Sequence, residues 1–157
     1  MQTTEQACPR ILTYRPPRIA LSLLIAAALT QLALPADWGQ LRSFTAAGAV
    51  VGVIGFALMI RAWWLFRVQD TAICPTAETT TLITRDVYRL TRNPMYLGMV
   101  MMLLGVGLFA GGILYYVVAA SFFAIIDHSF CPYEEHKLQA VFGDQFTLYT
   151  KKVHRWI

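Results

Sequence analysis

The chain has 157 residues, 57% of them hydrophobic and 14% charged, with a net charge of +4 and a mean hydropathy of +0.51. So apolar a composition excludes an ordinary soluble domain of this size and predicts an all-α integral membrane protein. The positive charge calls for no nucleic acid partner, because a basic face beside anionic lipid accounts for it.

In chain order, residues 1–17 read as a polar, proline-containing arm. Uncharged windows follow from Ile19 to Ala36, from Ser43 to Ile60 and from Asn93 to Ile126. The third window, as one helix, would reach roughly 51 Å at about 1.5 Å per residue, against a hydrocarbon core of about 30 Å. It must fold back, and Gly111-Gly112 near its middle is the expected hairpin, giving four transmembrane helices with the last two paired. Arg10, Arg15 and Arg18 precede a segment that lacks a small-residue cleavage pattern, so the first helix is expected to be retained. Eleven of the 13 Lys and Arg residues then fall on one side of the four spans, Arg42 falls on the other, and Arg61 marks a helix end. By the positive-inside rule both termini and the central loop face the cytoplasm, as expected of a multi-pass protein of the cytoplasmic membrane. Trp38, Trp63, Trp64 and Trp156 all fall at expected span ends, where amphipathic rings favour the interface.

The whole chain, 1–157, reads as a single membrane domain: an arm and two spans over 1–65, then a core over 66–157. Gly48 and Gly52 form a GxxxG in the second span, and Gly98, Gly105 and Gly112 recur every seven residues in the third. Small residues so placed let helix backbones approach closely in lipid. Residues 66–92 form a cytoplasmic segment, predicted to be extended or irregular, in which Thr79, Thr80, Thr81 and Thr84 place hydroxyls near the membrane. Cys8, Cys74 and Cys131 each precede a proline, and their separations fit no metal-ligand set.

The chemistry-bearing stretch is Arg92-Asn93-Pro94-Met95-Tyr96-Leu97-Gly98, a polar knot at the head of an uncharged helix. Asn93 is expected as N-cap and Pro94 at the first helical position, leaving backbone N–H groups and the positive dipole end for an anion. Beyond the fourth span, Pro132–Phe142 reads as a short helix with Gly143 past its end, and Asp144 is expected to cap a second through Lys152. Glu134 and Glu135 sit in the first turn of the earlier helix, where carboxylates also suit the macrodipole.

Together, TLITRDVYRLTRNPMYLG over residues 81–98 and EEHKLQAVFGDQFTLYTKKVHRW over residues 134–156 resemble the two signatures of the isoprenylcysteine carboxyl methyltransferase and phospholipid methyltransferase superfamily. The match spans about the last half of the chain, in the right order, with a membrane hairpin between the motifs. The resemblance implies an S-adenosylmethionine-dependent membrane methyltransferase acting on a lipophilic small molecule or lipid-linked substrate. It implies cofactor contacts at Thr80, Thr81, Leu82, Ile83, Tyr88, Asn93, Pro94, Met95, Tyr96 and Glu134, and no metal. Three positions depart from the family pattern. Asn93 stands in place of the usual histidine, and Asp86 where glycine is common, so that turn is expected to be made differently. Phe130 stands where isoprenylcysteine enzymes carry a substrate-binding arginine, which argues against a prenylated protein carboxylate as substrate.

No catalytic residue follows from the motifs. Asp127, His128, Glu135 and His136 are the candidates for a base if the acceptor must lose a proton. Two other readings compete. One is an NADPH-dependent membrane enzyme of the sterol-reductase kind. The other is a scaffold whose glycine-lined helices only pack. Neither the acceptor atom nor the oligomeric state is encoded in a motif.

Overall fold

The structure, a computed structural model, describes residues 15–35, 38–68 and 81–157. All of its named elements are helical. The first, α1 (Pro16–Ala33), opens on two prolines whose fixed φ suits a first turn. It stops where Leu34 turns extended ahead of Pro35, as the residue before a proline must. Helix α2 runs Thr45–Val68, and α3 runs Pro94–Ala110. Helix α4 (Ile113–Ile125), α5 (Cys131–Phe142) and α6 (Asp144–Thr150) complete the chain, with one 3₁₀ turn at Asp86–Arg89.

Helices α2 and α3 pack most closely, and the reason is backbone contact at glycine. A methyl on Gly48 would lie 2.7 Å from the Gly105 carbonyl oxygen, and one on Gly98 would lie 2.5 Å from that of Gly55. The seam is therefore two facing pairs, Gly48 with Gly105 and Gly55 with Gly98, in antiparallel register. Gly52 of the GxxxG has open space around its Cβ direction. Both glycines of the expected pair lie in the seam, Gly52 through its backbone, whose N would lie 2.8 Å from a methyl on Gly105, and Gly55, seven residues beyond Gly48, adds a further contact.

Gly111 ends α3 in the left-handed region at φ 75°, with its N–H on the Gly107 carbonyl, and α4 starts two residues later. The link between α1 and α2 pairs with this turn: Leu41 N–H donates to Gly111 O at 2.6 Å and Ile113 N–H to Gly39 O at 2.9 Å. Both turns therefore lie at one end of the molecule.

The expected helix break before Pro132 does not occur. Helices α4 and α5 form one continuous helix, Ile113–Phe142, through a π segment at Ile126–Phe130. Pro132 lacks an N–H and its ring would clash with the carbonyl four residues back. Widening the turn, so that Cys131 N–H reaches the Ile126 carbonyl, accommodates the ring without ending the helix. Among the described residues, three helices are long and apolar enough to cross a membrane: α1, α2 and this 30-residue helix; α3, with 17 residues, is shorter.

Candidate active site

At the end opposite the two paired turns lies a cavity of about 580 Å³. Arg15, Pro16 and Pro17 contribute one side of its wall, and Met59, Ile60, Trp63 and Phe66 of α2 a second. Thr81, Leu82, Ile83 and Tyr88 come from the connecting segment, and Arg92 to Tyr96 with Met99 from the head of α3. Glu134, Glu135 and Leu138 of α5 and Phe146 and Tyr149 of α6 close it.

The residues singled out in the sequence thus converge. Thr81, Leu82, Ile83, Tyr88, Asn93, Pro94, Met95, Tyr96 and Glu134 all line this one cavity. Thr80 lies outside the described residues. Among the candidate bases, Glu135 lines the cavity but Asp127, His128 and His136 do not. His128 is largely exposed, its ring nitrogen beside the Ala124 carbonyl at 2.9 Å, so it leaves the site altogether.

Asp86 makes the turn that brings Tyr88 inward. It adopts φ 60°, the left-handed region that glycine favours. An aspartate tolerates it because its Oδ1 accepts the next N–H, that of Val87, at 2.8 Å. Its Oδ2 accepts from Arg61 Nε at 3.0 Å, tying the turn to α2. The arginine's hydrogen bond holds the Asp86 carboxyl below the usual carboxylate range. Tyr88 is buried and meets Phe66 edge-on, centroids 5.9 Å apart. Its carbonyl accepts the Tyr149 hydroxyl at 2.6 Å. Burial pushes the Tyr149 phenol up to about 12 and the Tyr88 phenol higher than its ordinary value, so both stay neutral.

The head of α3 differs from the expectation in one respect. Asn93 occupies the N-cap position but makes no side-chain cap; its Nδ2 donates instead to the Arg155 carbonyl at 3.1 Å. The first-turn N–H groups are left without a side-chain cap. Tyr96, in the first turn of the helix, donates to Glu134 Oε1 at 2.5 Å, and Phe130 packs behind its ring, fully buried. Phe130 is a core residue that fixes Tyr96 and is not part of the cavity wall.

Glu135 accepts two hydrogen bonds from Arg155, at 2.9 and 2.6 Å, and pairs with Arg92 Nη1 at 3.0 Å. Arg155 also donates to Asp127 at 3.1 Å, and Trp156 Nε1 donates to the same carboxylate oxygen at 2.9 Å. Hydrogen bonding to Glu135 holds the Arg155 guanidinium still more firmly protonated. The buried Arg92 Nε has no partner. Trp156, expected at the interface, is half-buried, its ring 4.8 Å from that of Phe123. Sequence reasoning missed the contributions of Pro16, Met59, Trp63, Phe146 and Tyr149 to the cavity. Their only signal is apolar character, shared with every lipid-facing residue nearby.

The described residues form an all-helical apolar fold with a polar-headed cavity at one end, the class expected of a membrane protein. A sequence profile of the phospholipid methyltransferase family matches residues 43–145, more than half of the chain. The chain belongs to that family, and membership makes methyl transfer at a membrane the activity to be accounted for. Searches of curated proteins and of solved structures found no match.

Proposed function

We propose that this protein is an S-adenosylmethionine-dependent methyltransferase acting on a lipophilic small molecule or lipid-linked acceptor. The observation that carries the reading is convergence: residues from the connecting segment, the head of α3 and α5, read as cofactor contacts from two motifs far apart in sequence, line one cavity. A volume of about 580 Å³ is within the ordinary range for cofactor and ligand pockets. The donor set also suits the group. Uncapped N–H groups at the head of α3 and the unpartnered Arg92 Nε favour the cofactor's carboxylate. Glu134 suits its ammonium or ribose hydroxyls, and Tyr88 and Tyr96 present rings for the adenine or sulfonium.

The cofactor supplies an electrophilic methyl group on a positively charged sulfur. The chain's part is to bind, align and exclude water. Met59, Ile60, Trp63 and Met99 line the cavity with apolar surface, and removing water there favours a displacement that consumes charge. Glu135 is engaged by two guanidiniums, which leaves Glu134 as the other carboxylate in the wall.

In this reading α3 is a fourth crossing beside the three longer helices, both termini face the cytoplasm, and the cavity opens on that side. Lipophilic acceptors are then delivered from the bilayer itself. Calorimetry on the purified protein in lipid nanodiscs tests the cofactor. S-Adenosylmethionine or its demethylated product should bind at micromolar to sub-millimolar strength, roughly 4 to 8 kcal/mol. NADPH binding without binding of the sulfonium cofactor would replace this reading with a reductase, which the family match does not favour.

A further inference from the structure

The residues after α6 form a strap across the head of α3, beyond the stretch matched by the family profile. Two consecutive residues grip it through their carbonyls. The His154 carbonyl accepts Arg92 N–H at 3.0 Å, and the Arg155 carbonyl accepts both the Thr91 hydroxyl at 2.8 Å and Asn93 Nδ2 at 3.1 Å. The Arg155 guanidinium spans Glu135 on α5 and Asp127 in the π segment, and Trp156 Nε1 donates to the same Asp127 oxygen as Arg155. Thr91, only 1% exposed, closes the network by accepting Asn93 N–H at 3.1 Å.

This arrangement has two chemical effects at the cavity. It occupies the Asn93 side chain, the natural cap for α3, so the first-turn N–H groups remain open. It also neutralises Glu135 jointly with Arg92, which keeps Arg92 in the cavity wall with Nε unpartnered. We infer that the strap His154–Trp156 is a positioning device: through Arg155 it diverts Asn93 from capping and holds the head of α3 open as the anion-binding end of the site. Arg155 itself lies outside the cavity wall and acts through Thr91, Asn93, Arg92 and Glu135.

The test uses the full chain in nanodiscs with Arg155→Ala, which releases the guanidinium, and Thr91→Val, which keeps shape but removes the hydroxyl. The affinity readout rests on the cofactor reading; amide exchange does not. With S-adenosylmethionine as probe, Arg155→Ala should weaken binding at least about tenfold and lower the melting temperature through its lost ion pairs, whereas Thr91→Val should weaken binding about threefold with the ion pairs intact. In both variants the Arg92 amide should exchange faster and those of Met95 and Tyr96 more slowly, as Asn93 swings back to cap them. A merely structural strap would loosen all three amides together. Unchanged affinity with unchanged exchange in both variants overturns the inference, and so does uniform loosening. Should Arg155→Ala not fold, Thr91→Val decides alone. Should the wild-type chain bind no cofactor, the cofactor reading fails by itself, and the opposite exchange changes at Arg92 and Met95 still decide the strap.

Discussion

Tyr96 and Glu134, 38 residues apart in the chain, meet at 2.5 Å in the cavity wall, the hydroxyl donating to the carboxylate. One sits in the first turn of α3 and the other in the first turn of α5, so this contact joins the two sequence motifs directly. Short hydrogen bonds of this kind to a carboxylate are among the stronger ones, and this one fixes where Glu134 points.

Glu134→Gln should therefore weaken S-adenosylmethionine binding by at least about tenfold, or 1.4 kcal/mol, with the protein still extracted and eluting as folded. Tyr96→Phe removes the hydrogen bond that orients the carboxylate and should give a smaller loss of the same kind. Glu135 is no neutral control, because it holds Arg92 and Arg155. Glu135→Gln should lower thermal stability as well, by about 1.5 to 3 kcal/mol for hydrogen bonds to a charged group. Calorimetry paired with melting curves separates the cases: affinity loss at constant stability for Glu134, loss of both for Glu135.

The glycine seam makes a sharp contrast within one motif. Gly98→Ala places a methyl 2.5 Å from the Gly55 carbonyl oxygen, forcing α2 and α3 apart, whereas Gly52→Ala meets nothing within 4 Å. Overpacking of this kind costs about 1 to 3 kcal/mol. Melting in detergent should fall for Gly98→Ala and for Gly48→Ala and stay unchanged or rise for Gly52→Ala. Equal effects at positions 48 and 52 would contradict the seam.

Asp86 offers a pH signature. Its pKa is depressed in the folded protein by Arg61, so the stabilisation it gives is fully present above the ordinary carboxylate range and is lost as pH falls through the depressed value. Wild type and Asp86→Asn should thus differ in melting temperature by a constant amount at neutral pH, and the difference should shrink as acid protonates Asp86. Asparagine keeps the left-handed turn, so Asp86→Ala should be the more damaging change, through strain at φ 60°. A difference that widens in acid would remove the Arg61 pair as its cause.

Sidedness is tested by reporter fusions. The turns at Gly39 and Gly111 bond to each other and so share one face. Fusions after Trp38 and after Gly112 should report the outside, and fusions after Ala77, which lies outside the described residues, and at the C-terminus the inside. An outside report at Ala77 would overturn the four-crossing arrangement and move the cavity to the other face.

Composition and the lengths of the apolar windows were sufficient to fix the helical membrane class, since bilayer insertion depends on the summed transfer of side chains. Pro94, Gly98 and the glutamate pair were legible for a related reason: proline, glycine and charge each restrict the backbone or its solvation at their own position, and they gave the cavity its polar head. Other features were decided only in three dimensions. The π segment at Ile126–Phe130 depends on whether the helix can widen ahead of Pro132, and the part Gly55 plays beside Gly48 and Gly52 depends on the register of α2 against α3. Asn93 and Asp127 show the same limit most clearly. Read locally, one is a helix cap and the other a base; in the fold, both are claimed by Arg155 and Trp156 from the end of the chain. A hydrogen-bonding side chain takes whichever partner the packed structure brings within about 3 Å, and sequence spacing does not encode that distance.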